Sequence, residues 1–182
     1  VVNLPEDYKI LDLTKGPWIS GDSGFSIGKY DEFRPNVYNT DLFESVRNIH
    51  VGIDIGGPVG TSCMAFMEGK IFDFGYNPAA GDYGNVVITE HIISNVKIWS
   101  LYGHLDSQSI INKTKGQLIE KGEVIGFFGN ESENGGWEPH LHFQLSVVEP
   151  ETHDLPGVVS MEDRSSALRK FPDPRLVLGP LY

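Results

Sequence analysis

The stretch Pro139-His140-Leu141-His142-Phe143-Gln144 carries two imidazoles two residues apart. It lies in a longer run, residues 139–148, of strand-forming composition. In a strand, residues i and i+2 point to the same face, so His140 and His142 project together. Upstream, His50-Val51-Gly52-Ile53-Asp54 places an imidazole and a carboxylate four residues apart. Between the two motifs lies His104, within Leu101-Tyr102-Gly103-His104-Leu105-Asp106. Four of the six histidines thus fall into three short contexts, which is a metal-site pattern.

His50 and Asp54 set a geometric condition. On a straight strand they would share a face but stand about 13 Å apart, at roughly 3.3 Å per residue. Ligands about 2 Å from one ion do not span that distance. A helix would bring them to about 6 Å. Yet Val51, Gly52, Ile53 and Ile55, followed by Gly56-Gly57-Pro58, are poor helix material. A bend or bulge is therefore required, and Gly52 is its expected place.

Outward from these motifs, residues 46–149 read as strand after strand. The candidates are 48–55, 60–67, 70–74, 85–91, 96–104, 117–119, 124–129 and 139–148. They are rich in Val, Ile, Phe, Tyr and Trp and are separated by Gly-type turns. No long helical period interrupts them, so the expected class is mainly β, with antiparallel sheet. In Gln117-Leu118-Ile119-Glu120-Lys121-Gly122-Glu123-Val124-Ile125-Gly126, two apolar pairs flank Glu-Lys-Gly. That predicts a tight hairpin with Gly122 at positive φ and Lys121 in solvent.

Residues 1–45 read as an irregular N-terminal arm, broken at Gly16-Pro17, Gly21, Gly24, Gly28 and Pro35. Extended runs are expected at 8–11 and 24–27. A short helix or turn is expected over 39–47, capped by Thr40 or Asp41. Residues 150–182 form a C-terminal tail packed on the core. Within it, 161–169 reads as a short helix ended by Phe171-Pro172-Asp173-Pro174, and 175–178 is apolar enough to dock.

The length of 182 residues suits one compact domain with appended arms. A net charge of −11 argues against nucleic acid as a partner, because phosphates require a basic patch. It also disfavours docking to anionic membranes. Cys63 is the single cysteine, so no intrachain disulfide forms, and it reads as a small buried hydrophobe. No apolar run is long enough to span a bilayer. The chain opens Val1-Val2-Asn3-Leu4-Pro5-Glu6, with neither a basic start nor an apolar signal core. Either there never was an export signal or the chain is a processed or trimmed piece of a larger polypeptide, and the missing initiator Met slightly favours the second.

Catalytic zinc sites take three imidazole, carboxylate or thiolate ligands and keep one position open. One of His140 and His142 can bind metal while the other stands beside it, or both can bind; spacing does not decide. His91 ends a strand beside Glu90, and His153 lies in the polar tail. Both are expected to be packed or surface residues.

Together these segments resemble the M23 family of zinc metallopeptidases, of the lysostaphin/LytM type. The resemblance rests on His50-Val-Gly-Ile-Asp54, Tyr102-Gly-His-Leu105 and His140-Leu-His-Phe143. The strand Gly84-Asn-Val-Val-Ile88 and the 117–126 segment also sit where that family has them. It covers roughly residues 46–149, the expected peptidase core. Segments 28–34 and 171–174 are similar to family domains carried within larger multidomain proteins.

The resemblance implies a duplicated hybrid motif, a barrel-sandwich hybrid. It makes His50, Asp54 and His142 the Zn2+ ligands and His104 and His140 the unliganded catalytic pair. The general base is then histidine rather than glutamate. It implies a peptide or peptidoglycan substrate, cut at cross-links or glycine-rich segments, with Tyr102 as a substrate contact. It also implies a cell-envelope or secreted location. One departure stands out. The turn before His140 is the long acidic Asn130-Glu-Ser-Glu-Asn-Gly-Gly-Trp-Glu-Pro139. That loop is expected to border the cleft, with Trp137 contacting substrate. Two other readings compete with a zinc endopeptidase. One is a non-catalytic or autoinhibited zinc-binding module, which needs the arm or the acidic loop to block the cleft. The other is a sugar-transport phosphocarrier-like domain, which would not require Asp54 beside His50.

Overall fold

The computed structural model describes residues 1–17 and 24–182, so the break expected at Gly21 lies outside the described residues. The strands are β1 (Lys9–Ile10), β2 (Ser26–Gly28), β3 (Glu32–Phe33), β4 (Arg47–His50), β5 (Ile53–Gly56), β6 (Ser62–Met64) and β7 (Gly69–Asn77). They continue with β8 (Gly84–Ile93), β9 (Val96–Leu105), β10 (Leu118–Ile119), β11 (Val124–Phe127), β12 (His140–Ser146) and β13 (Val158–Ser160). Two short helices follow, α1 (Arg164–Lys170) and α2 (Arg175–Leu178). No helix among the described residues is long and apolar enough to cross a membrane.

Eight strands form the main sheet, in the order β1-β2-β5-β12-β9-β8-β7-β10. β1 and β2 run parallel, and the other neighbours pair antiparallel. The expected mainly β architecture is what forms. Two smaller sheets complete it, β11-β6 and β13-β4-β3. β8 and β9 are joined through Ser94 and Asn95, both at positive φ, the two-residue turn whose twist suits adjacent strands. Val86, Val87 and Ile88 on β8 are all fully buried because apolar clusters cover both faces of the sheet. One cluster gathers Ile53, Ile55, Tyr102, Leu141 and Phe143. The other gathers Ile49, Val51, Tyr83, Trp99 and Leu101.

Residues 117–126 form a turn but not a hairpin. Gly122 takes positive φ as expected, and the Glu123 N–H closes on the Glu120 carbonyl at 3.1 Å. The flanking strands then part: β10 pairs with β7 and β11 with β6. Backbone pairing at Ala65 is the reason. Its carbonyl accepts from Gly122 at 2.8 Å, and its N–H donates to Glu123 at 2.9 Å. Those bonds clasp the turn to the chain after β6, while Ile119 and Ile125 enter one core from different sheets.

Segments 1–45 and 150–182 contribute strands to the sheets around the site. β2 lies between β1 and β5, and β4 is flanked by β3 and β13. Over 39–47 the chain forms a single 3-10 turn, Asp41–Phe43, with Thr40 at its N-cap. α1 begins three residues later than the helix read at 161–169 and ends one residue later. Val177 and Leu178 of α2 pack on the first core cluster.

Candidate metal centre

The 48–55 run is divided at Val51-Gly52. β4 ends at His50 in the three-stranded sheet, and the chain re-enters the main sheet at Ile53. This is the bend the ligand spacing demands. It requires glycine for a specific reason: a Cβ on Gly52 would lie 2.5 Å from both Cε1 and Nε2 of His142. Asp54 on β5 is then directly opposite His142 on β12.

Three donor atoms converge. Nε2 of His50, Oδ1 of Asp54 and Nδ1 of His142 are each 3.1 Å from the other two. Among the described residues these side chains form the one His/Cys/Asp/Glu group compact enough to hold a metal ion. Ligands about 2.0–2.1 Å from a tetrahedral zinc stand roughly 3.3–3.4 Å apart, so the triangle is close to the size of one face of that shell.

The outer nitrogens fix the tautomers. Nδ1–H of His50 donates to the Lys29 carbonyl at 2.9 Å. Nε2–H of His142 donates to Oε1 of Gln144 at 3.0 Å, and the Gln144 amide is oriented by its own bond to the Pro156 carbonyl at 3.4 Å. Both inner nitrogens therefore present lone pairs to each other and to a carboxylate oxygen. Such an arrangement repels itself unless a cation sits among the three. These bonds from the outer ring nitrogens are the kind that orient imidazole on a metal. The residues present fit a zinc ion.

Electrostatics agree. Burial, followed by the nearby Arg34 charge, lowers the His50 pKa to about 4, which keeps the ring a neutral donor. Burial pushes the Asp54 carboxyl up, but His50 and Arg34 outweigh it and hold the group well below the usual carboxylate range. Oδ2 of Asp54 accepts from Nη1 of Arg34 at 2.7 Å.

His104 and His140 stand beside the triangle with ring centroids 4.2 Å apart. Nδ1–H of His104 donates to the Asn134 carbonyl at 2.7 Å, and Nδ1–H of His140 to the Glu138 carbonyl at 2.7 Å. Each Nε2 is thus left as a free base, that of His140 lying 3.9 Å from Oδ1 of Asp54. Burial lowers both pKa values, that of His104 most strongly. His104 reaches the site through its backbone. Its φ is +64°, in the left-handed region. Plain alternation along β9 would have put it on the face of Tyr102.

The acidic loop is more than a border. Asn134 is fully buried, and its amide accepts from Gly136 and Trp137 and donates to the Gly129 and Trp137 carbonyls. That folded tip presents the carbonyl that orients His104. Trp137 lines the cleft, edge-on to Tyr38 and His104, and its indole N–H has no partner. The cleft encloses about 740 Å³ around His50, Asp54, His104, His140 and His142.

Tyr102 does not join this assembly. It is fully buried in the core on the opposite face of β9, packs on Phe143, and donates to the Met64 carbonyl at 3.3 Å. The expected substrate contact is therefore corrected to a packing role: β9 alternation turns the Tyr102 ring away when Gly103 faces the site. Gly103 is needed there because a Cβ would meet the Tyr83 ring at 2.6 Å. His91 is buried, its Nδ1 bonded to the Glu68 carbonyl and its Nε2 to Thr89, as a packed histidine should be.

Sequence reasoning missed Gln144, Arg34, Asn134 and Tyr83. Gln144 had a signal, since it continues the period-two face of His140 and His142. Tyr83, whose hydroxyl donates to the Leu155 carbonyl at 3.0 Å while its ring lies against His142, had none beyond its place before a strand.

A β scaffold that brings two imidazoles and one carboxylate to a single point, with two further histidines as free bases, defines a metallohydrolase type of site. Residues 48–154 match the profile of peptidase family M23, and the chain belongs to that family. It is 32% identical over 120 residues to the peptidoglycan DD-endopeptidase ShyC of Vibrio cholerae, covering 64% of this chain and 25% of that one. It is 33% identical over 102 residues to lysostaphin of Staphylococcus staphylolyticus, covering 54% of this chain and 19% of that one. The chain thus spans a quarter or less of the length of these relatives. The catalytic domain of the antimicrobial peptidase lysostaphin from Staphylococcus simulans superposes with a TM-score of 0.55 at 25% identity, over 86% of this chain and 93% of that one.

Proposed function

We propose that this chain is the catalytic part of a zinc metalloendopeptidase acting on peptide bonds of peptidoglycan cross-links or glycine-rich peptides. The observation that carries the reading is the triangle of donor atoms at 3.1 Å with two basic Nε2 atoms beside it. The substrate class is supported by relatives named as peptidoglycan endopeptidase and lysostaphin.

In this reading His50, Asp54 and His142 hold the ion. Zinc bound there supplies a Lewis acid for the scissile carbonyl and acidifies water. His104 and His140 both present an unprotonated Nε2, because burial keeps both rings neutral at pH 7; either can accept the proton from water and, once it carries that proton, return it to the leaving amine. The Asn134 and Glu138 carbonyls hold the Nδ1–H of each ring, so the basic nitrogen always faces the cleft. Trp137 forms part of the cleft wall with its ring, its unpartnered indole N–H being buried.

The test pairs metal analysis with hydrolysis of purified peptidoglycan and of pentaglycine. The parent chain takes up one zinc and cleaves at least one of them. His142→Ala loses the zinc; His104→Ala keeps it and loses turnover. A parent chain that binds no zinc when supplied with it contradicts the reading.

A further inference from the structure

Two of the three metal ligands are held from outside the family match at 48–154. The carbonyl that accepts from His50 belongs to Lys29, and the guanidinium that binds Asp54 belongs to Arg34. Both lie in the arm, around β3. Arg34 is 2% exposed, the largest of the fully buried side chains among the described residues. Nε donates to Oε2 of Glu32 at 2.9 Å. Nη1 donates to Oδ2 of Asp54 at 2.7 Å and to the Tyr38 hydroxyl at 2.9 Å. Nη2 donates to the Lys29 carbonyl at 3.3 Å, the same oxygen that holds His50.

Burying a guanidinium costs several kcal/mol unless its partners are well placed, on the order of what one folded-state mutation can cost. Fold stability alone would be served by the Glu32 pair. The further bond to Asp54 has a distinct effect: it occupies Oδ2 and leaves Oδ1 as the carboxylate oxygen facing His50 and His142. Glu32 matters to the same end. Nζ of Lys29 also pairs with Oε1 of Glu32 at 3.3 Å, so two cations and two carboxylates leave the cluster at net zero and Arg34 adds no uncompensated positive charge to the pocket. Space is reserved for the pair as well. A Cβ on Gly28 would lie 2.8 Å from Nη2 of Arg34 and 3.2 Å from Oδ2 of Asp54.

We propose that Arg34 is a positioning residue of the metal centre: it captures Oδ2 of Asp54, and with the Lys29 carbonyl it locks two ligands, making the N-terminal arm part of the zinc site. The proposal rests on His50, Asp54 and His142 being the zinc ligands. Lysine cannot replace the fork, because its single ammonium does not span Glu32, Asp54 and the carbonyl at once.

The experiment uses the full chain and two variants, Arg34→Lys and the double variant Glu32→Gln/Arg34→Met. The double variant removes the Glu32 and Arg34 charges together at nearly constant volume, so neither is left buried without the other, while Asp54 keeps its contacts with His50 and His142. Zinc dissociation constants are read by competition with a chromophoric chelator. The visible absorption of the cobalt(II) form reports the coordination of the ion. Both variants should melt cooperatively, bind zinc about 10–100-fold more weakly than the parent, and show an altered cobalt(II) spectrum. Cooperative folding with parental affinity and spectrum overturns the proposal. Failure of both variants to fold also overturns it, since Arg34 would then serve the fold rather than the metal. A parent that binds no zinc would instead remove the ligand assignment beneath it.

Discussion

Nε2 of His50 and Nδ1 of His142 face each other at 3.1 Å, while the opposite nitrogen of each ring donates to a fixed oxygen. Neither inner nitrogen carries a proton in that network, so the contact needs a cation to be favourable. Gln144 is half of this arrangement. Gln144→Leu removes the acceptor and frees the His142 ring to turn. Zinc affinity should fall by about 10–100-fold, read by chelator competition, while Gln144→Glu, which keeps an acceptor there, stays much closer to the parent. Equal affinity in the leucine variant would show that the ring needs no such support.

Gly52 is the point at which the fold and the metal site meet. Its substitution by alanine would push a methyl into His142 at 2.5 Å and against the Phe143 carbonyl at 3.0 Å. Gly52→Ala should destabilise the chain by about 1–3 kcal/mol, as overpacking does, and should lose zinc at concentrations that saturate the parent. Urea unfolding and zinc titration measure the two effects separately.

The demand for a bend at Gly52 was legible because ligand spacing is a distance argument, and distance along a strand is known from the sequence. The turn at Gly122 was legible for a similar local reason. What happened on either side of that turn was not, because Ala65, more than fifty residues away, takes the backbone bonds a hairpin would have used. Arg34 was invisible for the same kind of reason. Nothing near it in the sequence marks an arginine that will be 2% exposed and bound to Asp54. Tyr102 and His104 show the limit of periodicity. One residue at φ +64° sends His104 to the cleft, and the regular strand leaves Tyr102 in the core.

Acid should weaken the metal-free chain in a defined window. His50 is depressed from 6.5 to about 4, with burial the main cause, and His104 and His140 are shifted the same way. Below pH 6.5 the unfolded chain protonates these rings and the folded chain resists it. Their contribution is therefore complete above that pH and is lost progressively toward pH 4; His50 alone accounts for up to about 3 kcal/mol. Melting temperatures of the EDTA-treated chain should fall steadily between these values. A flat profile there would mean the rings are not buried neutral.

Trp137 can be separated from catalysis by a substitution that keeps its ring contacts. Trp137→Phe preserves packing near Tyr38 and His104 but removes the unpartnered N–H. Because that N–H is buried without a partner, its removal should leave stability unchanged or raise it by about 1 kcal/mol, with KM and kcat little changed. A loss confined to kcat would place the indole in the chemical step instead.

The most direct measurement is the anomalous scattering map of the zinc-loaded crystal. The account predicts one peak about 2 Å from each of Nε2 of His50, Oδ1 of Asp54 and Nδ1 of His142, with His104 and His140 outside the shell. A peak elsewhere, or one bound through Nε2 of His142 with Gln144 displaced, would contradict it.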